Sequence, residues 1–219
     1  MVLPLGDDDS RLRIIPVVTF ALVAANVLVF FLELGHIGDI ERFFQTWSVI
    51  PVEYGRRIDL PPTHPGPFWT TIFTAMFMHA GFMHLGGNML FLWIFGDNVE
   101  EAMGHARFLL FYLACGLAAA LAQIFLDPNG TIPSLGASGA ISGVLGAYLV
   151  LFPRQWIRVL IWFRITYLPA IFVIGLWILL QFLSGLGQLA QTEQTGGVAY
   201  AAHVGGFLAG FVLVWVFRE

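Results

Sequence analysis

Ser138 stands in the run Leu135-Gly136-Ala137-Ser138-Gly139-Ala140, at the head of one apolar stretch, and His203 stands at the head of another. A serine hydroxyl is a weak nucleophile and needs a base within about 2.6–3.2 Å, a task that suits a neutral histidine. Gly136 permits a sharp turn or a close approach of backbone to ligand. Free amides at a helix start would then offer donors to an oxyanion. His84 and Asn88 are one helical turn apart, so both can aim at the same oxygen. A third, acidic member would ordinarily orient the histidine, yet the acidic residues lie in loops, at interfaces or in the termini. The chemistry expected is therefore that of a Ser-His dyad.

The elements that carry these residues are set by solvent. Of the 219 residues, 58% are hydrophobic and 11% charged, against roughly 25% charged in soluble domains. A helix needs about 20 mostly apolar residues to cross a hydrocarbon layer of about 30 Å. Six stretches are candidates: Ile14 to Leu32, Thr71 to Phe95, Phe108 to Leu126, Leu135 to Phe152, Ile165 to Leu183 and Ala199 to Phe217. They are continuously apolar rather than alternating, which excludes a closed barrel, and lipid obliges each span to satisfy its own backbone. The expected fold class is all-α, a polytopic membrane bundle of six helices in one domain, 1–219. A net charge of −4 with no basic cluster excludes a nucleic-acid partner. The single Cys115 lies in an apolar run and reads as a buried, inert thiol.

The sequence has no lysine, so its ten arginines report orientation. With a cytoplasmic N-terminus, Arg11, Arg13, Arg107, Arg154, Arg158, Arg164 and Arg218 fall inside, and Arg42, Arg56 and Arg57 outside, the favoured arrangement. The acidic start, Met1 to Ser10, does not look like a cleaved signal, so the tail 1–13 is expected to stay cytoplasmic. The long outer loop, about 33–69, carries Phe43, Phe44, Trp47, Tyr54 and Trp69 and is expected to form interfacial segments.

In that orientation the second, fourth and sixth stretches all begin on the outer side. They bring His79, His84 and Asn88, then Ser138 and Ser142, then His203 to one depth, whereas Asn26, Gln123 and Gln181 stand isolated on the others. Polar residues inside spans are costly and point to function. Gly139, Gly143 and Gly146 leave one face of the fourth stretch bare, and Gly206 and Gly210 do so for the sixth, on the stripe of His203. Small residues at this spacing let helix backbones approach closely.

Three motifs, His79-x4-His84-x3-Asn88, Gly136-x-Ser138-Gly139 and Ala202-His203-x2-Gly206-x3-Gly210, fall in order on the second, fourth and sixth stretches, and Gly96-x2-Val99-Glu100-x3-Gly104 follows the second. From about Ile14 to Phe217 the chain resembles the rhomboid intramembrane proteases. The resemblance implies a Ser138 nucleophile, a His203 general base and an oxyanion site at His84 and Asn88. It implies a supporting part for His79, in retaining water or local structure. Substrates would be single-span or other transmembrane proteins, admitted from the lipid bilayer beside the fifth stretch and cut near the outer face. No cofactor or metal is implied. Hydrolysis also requires water, hence a polar cavity opening outward between the long loop and the glycine-rich segment Ser184 to Gly197. One departure stands out: some members stack an aromatic residue on the histidine from the position that is Ser142 here. The expected membrane is a prokaryotic plasma membrane. The alternatives are a catalytically inactive relative that binds membrane segments, and a metal-dependent membrane protein using His79, His84 and His203, which would need further ligands.

Overall fold

The computed structural model describes residues 2–8, 12–189 and 199–219; Met1, Asp9, Ser10, Arg11 and the 190–197 part of the expected glycine-rich segment lie outside the described residues. The chain opens with strand β1 (Val2–Gly6) and helix α1 (Val17–Gly35), after which the long loop folds into two short helices, α2 (Ile40–Trp47) and α3 (Pro51–Arg56). A single turn, α4 (Thr71–Thr74), leads to α5 (Phe82–Met103), α6 (His105–Leu126) and α7 (Ser138–Leu151). A hairpin of β2 (Trp156–Ile161) and β3 (Arg164–Pro169) then joins α7 to α8 (Ala170–Leu189), and α9 (Tyr200–Phe217) follows.

The fold is mostly helical, and among the described residues four helices, α1, α6, α8 and α9, are long and apolar enough to cross a membrane. Helix α7 is apolar but short. Helix α5 is long but carries His84, Asn88, Asp97, Asn98, Glu100 and Glu101. Outward faces fit a hydrocarbon solvent: Leu28, Phe31 and Leu32 on α1 and Phe172, Leu179 and Leu183 on α8 are exposed. The core lies between α5, α6, α7 and α9, around Phe95, Phe108, Phe111, Tyr112, Val144 and Tyr148.

The all-α expectation needs correction, because β1, β2 and β3 form an antiparallel sheet in that order. Its cause is local. In β2 the side chains alternate, with Ile157 and Val159 buried and Trp156 and Arg158 exposed, a period that suits a strand with one covered face. The register pairs Ile161 with Arg164 around a two-residue turn, Trp162 and Phe163, with Trp162 at φ 56°. The fifth apolar stretch therefore yields its first residues to β3, and its helix starts at Ala170, after Pro169. The second stretch also breaks: backbone at 78–81 is irregular between the turn after α4 and the start of α5.

The first turn of α1 has Pro16 before it and no side-chain cap of its own. The far end of α5 supplies one. Glu100, fully buried, accepts the Val18 N–H at 2.9 Å, the Thr19 N–H at 2.7 Å and the Thr19 hydroxyl at 2.7 Å, and lies 2.6 Å from His105 Nδ1. Glu101 accepts the Arg13 and Ile14 amides at 2.9 and 2.8 Å. Carboxylates at a helix N-terminus satisfy its unpaired donors and complement its dipole. Glu100→Ala is expected to cost about 3 kcal/mol, since buried amides lose a charged acceptor. Thermal unfolding in detergent should show a fall of several degrees, with a far smaller one for the more exposed Glu101→Ala.

Candidate active site

Ser138 is the first residue of α7, and the chain leading to it is held from two sides. Ser134 exchanges backbone hydrogen bonds with Val49, between α2 and α3, at 2.8 and 3.1 Å, and the Gly136 N–H donates to the Ala75 carbonyl at 2.8 Å. Gly136 has φ +124°, in the region that favours glycine. A Cβ there would also lie 2.8 Å from His84 Cε1 and Nε2. The turn that presents Ser138 is thus pressed against the imidazole of a different helix.

His203 lies in the first turn of α9, and the distance from α7 to α9 is set by missing side chains. A Cβ on Gly206 would overlap the Gly139 carbonyl, and one on Gly210 the Gly143 carbonyl. The two backbones are in contact, as small residues at four-residue spacing allow. His203 Nε2 consequently sits 2.7 Å from Ser138 Oγ. On its other side, His203 Nδ1 lies 2.7 Å from Gln181 Oε1, on α8. An amide oxygen can only accept, so Nδ1 carries the proton and Nε2 presents its lone pair to the serine hydroxyl. The arrangement can move the Ser138 proton onto His203.

His84, in the first turn of α5, receives the Ala80 N–H on Nδ1 at 3.4 Å, which leaves its proton on Nε2, beside Gly136 and Ser138. Asn88 follows one turn later; its Nδ2 is buried and has no partner. Two donors and the Ser-His pair share a cavity of about 1050 Å³, which Gln181 and Trp177 of α8 also line. His79 is placed behind this wall. Its N–H donates to buried Glu33 at 3.0 Å, and its ring packs edge-on to His84 with centroids 5.1 Å apart. Among the described residues no group of three or more His, Cys, Asp or Glu is arranged so that it could hold a metal ion.

Two neighbours of His203 escape sequence reasoning. Ser142 turns back along α7, its hydroxyl donating to the Ser138 carbonyl at 2.6 Å. The aromatic neighbour of His203 comes from another helix: Trp177, with centroids 5.9 Å apart and planes 33° apart. Gln181 is one turn beyond it. Its only signal in the sequence is an amide on a helix that carries no amide, hydroxyl or charge from Ala170 to Leu180.

The Rhomboid domain family model matches residues 66–219, which include Ser138, His203, His84 and Asn88. The chain belongs to the rhomboid family. It is 30% identical over 202 residues to Rhomboid protein 1, mitochondrial, of Saccharomyces cerevisiae, covering 90% of this chain and 52% of the relative. Identity is 32% over 198 residues to the Rhomboid protease GluP of Bacillus subtilis, covering 90% and 34%. It is 33% over 164 residues to Rhomboid-like protein 11, chloroplastic, of Arabidopsis thaliana, covering 71% and 55%. The chain therefore spans about half or less of the length of these rhomboid relatives. Their names place them in mitochondria, chloroplasts and a bacterium, so membership carries a membrane-embedded fold and lends no support to a prokaryotic plasma membrane in particular.

The rhomboid contact between α7 and α9 can be tested apart from any reaction. Gly206→Val would push a side chain into the Gly139 backbone, an overpacking of about 1–3 kcal/mol. A lower unfolding temperature and a lower denaturant midpoint are the expected outcomes. Gly175→Ala, where a Cβ meets open space on α8, should change neither.

Proposed function

We propose that this rhomboid chain is an intramembrane serine endopeptidase that cleaves transmembrane segments of other proteins through a Ser138-His203 dyad. The observation that carries the reading is the 2.7 Å approach of His203 Nε2 to Ser138 Oγ inside a cavity that the unpaired Asn88 Nδ2 also lines. The protease named among its relatives supports it. In this reading α1, α5, α6, α7, α8 and α9 are the six spans of a single domain. The N-terminus is cytoplasmic, and the N-terminal ends of α5, α7 and α9 face the outer side.

The reaction follows from the tautomer. Ser138 Oγ attacks the scissile carbonyl carbon while its proton passes to His203 Nε2, and the carbonyl oxygen becomes an oxyanion. The Nε2–H of His84 and the Nδ2–H of Asn88 donate to that oxygen, a form of stabilisation strongest in a water-poor site. Collapse of the tetrahedral intermediate breaks the C–N bond, and His203 returns its proton to the leaving amine. Water from the cavity then attacks the acyl ester with His203 again as base, releasing the carboxylate and restoring Ser138. An oxyanion donor is worth roughly 10²–10³ in rate, so Asn88→Ala should retain slow cleavage where Ser138→Ala and His203→Ala retain none.

The test is cleavage of a panel of single-span proteins in vesicles, with cut sites mapped by mass spectrometry. Cuts within transmembrane segments that vanish in Ser138→Ala are expected. Equal cleavage by Ser138→Ala, or cuts confined to soluble loops, would sink the reading. A wild type that binds these segments without cutting them or labelling with fluorophosphonate would make it an inactive binding relative.

A further inference from the structure

We propose that Gln181 is the positioning residue of this site, a neutral third member that holds His203 in its reactive tautomer from a separate helix. The inference rests on the dyad reading above. A serine-histidine pair needs something to fix which imidazole nitrogen carries the proton and which way the ring faces, and no acidic side chain stands on α7 or α9 to do it.

Gln181 meets that requirement by geometry. Its Oε1 accepts from His203 Nδ1–H at 2.7 Å while Ser138 Oγ lies 2.7 Å from Nε2, so both edges of one imidazole are engaged in opposite senses. Trp177, one turn earlier on α8, bounds the ring on the same side. Ile174, Trp177 and Gln181 form one stripe on α8, while Leu180, Phe182 and Leu183 around the amide are exposed to the hydrocarbon side. An amide at this place is costly unless it finds a partner on a neighbouring helix, and the partner is His203. Because amide and imidazole belong to α8 and α9, the bond also ties readiness of the base to the seating of α8.

A neutral acceptor differs from a carboxylate in a measurable way. It orients the ring without strongly favouring the imidazolium, so changing its charge must move the pH dependence of acylation. Gln181→Leu removes the acceptor, leaves Nδ1–H unpaired and disfavours imidazolium. Acylation of Ser138 should slow by about 10- to 100-fold, in kcat more than in KM, with the acid limb of the profile moving to lower pH. Gln181→Glu restores an acceptor that favours imidazolium when ionised. Its rate should recover to within a few-fold of wild type, with the acid limb displaced to higher pH.

Both variants and Ser138→Ala would be measured in vesicles, by fluorophosphonate labelling and by substrate cleavage across pH. A wild-type rate and profile for Gln181→Leu would overturn the positioning role. So would equal impairment of Gln181→Leu and Gln181→Glu with unshifted acid limbs, which marks a purely structural amide. Either result leaves the dyad standing while Ser138→Ala remains silent. Labelling of Ser138→Ala equal to wild type would instead remove the dyad itself.

Discussion

Contact between two bare backbones, α7 at Gly139 and Gly143 and α9 at Gly206 and Gly210, is the constraint on which the rest of the molecule depends. In a hydrocarbon solvent apolar side chains gain little from packing against each other rather than against lipid, so close backbone approach has to come from small residues. That approach places the first residue of one helix within hydrogen-bond distance of the first turn of the other. It also leaves a cavity above the contact that side chains of α5 and α8 line.

Polar groups in this fold are held in pairs drawn from distant parts of the chain. Glu100 closes the start of α1, Glu33 receives the amide of His79, and Gln181 engages His203. Each places a polar atom against a partner where water is scarce, because an unmade hydrogen bond there costs more than one made in water contributes. Asn88 Nδ2 and Ser48 Oγ are among the contrasts, buried and unpartnered. Of these, Asn88 lines the cavity, where an incoming oxygen could serve it. The aromatic neighbour of the His203 imidazole is Trp177 of α8, so a helix other than that of the serine supplies it.

Much of the helical part was legible because apolar length is a one-dimensional property. Where it misled, a shorter period was hidden inside a hydrophobic run. Ile165 to Pro169 reads as the start of a span when hydropathy is averaged, but the partner strand Trp156 to Ile161 alternates, and its pairing with Arg164 to Pro169 makes a hairpin. The same averaging hides the break at 78–81, which frees His84 to begin a new helix. Strand β1 depends on residues more than 150 positions away in sequence, for Val2 pairs with Ile161, and nothing within the first ten residues announces it.

Residue type and spacing alone determined that Ser138, His203, His84 and Asn88 would gather near helix starts, since motif order and glycine stripes are written along the chain. They also determined that lipid is the solvent, because so few charges are available to face water. Tertiary structure alone decided the orientation of His203. The amide that receives its Nδ1–H sits on a helix whose own sequence marks it only as one polar residue among apolar ones. Hydrogen bonds between helices depend on rotation and depth in three dimensions, and neither quantity is encoded in the spacing of residues along any one of them.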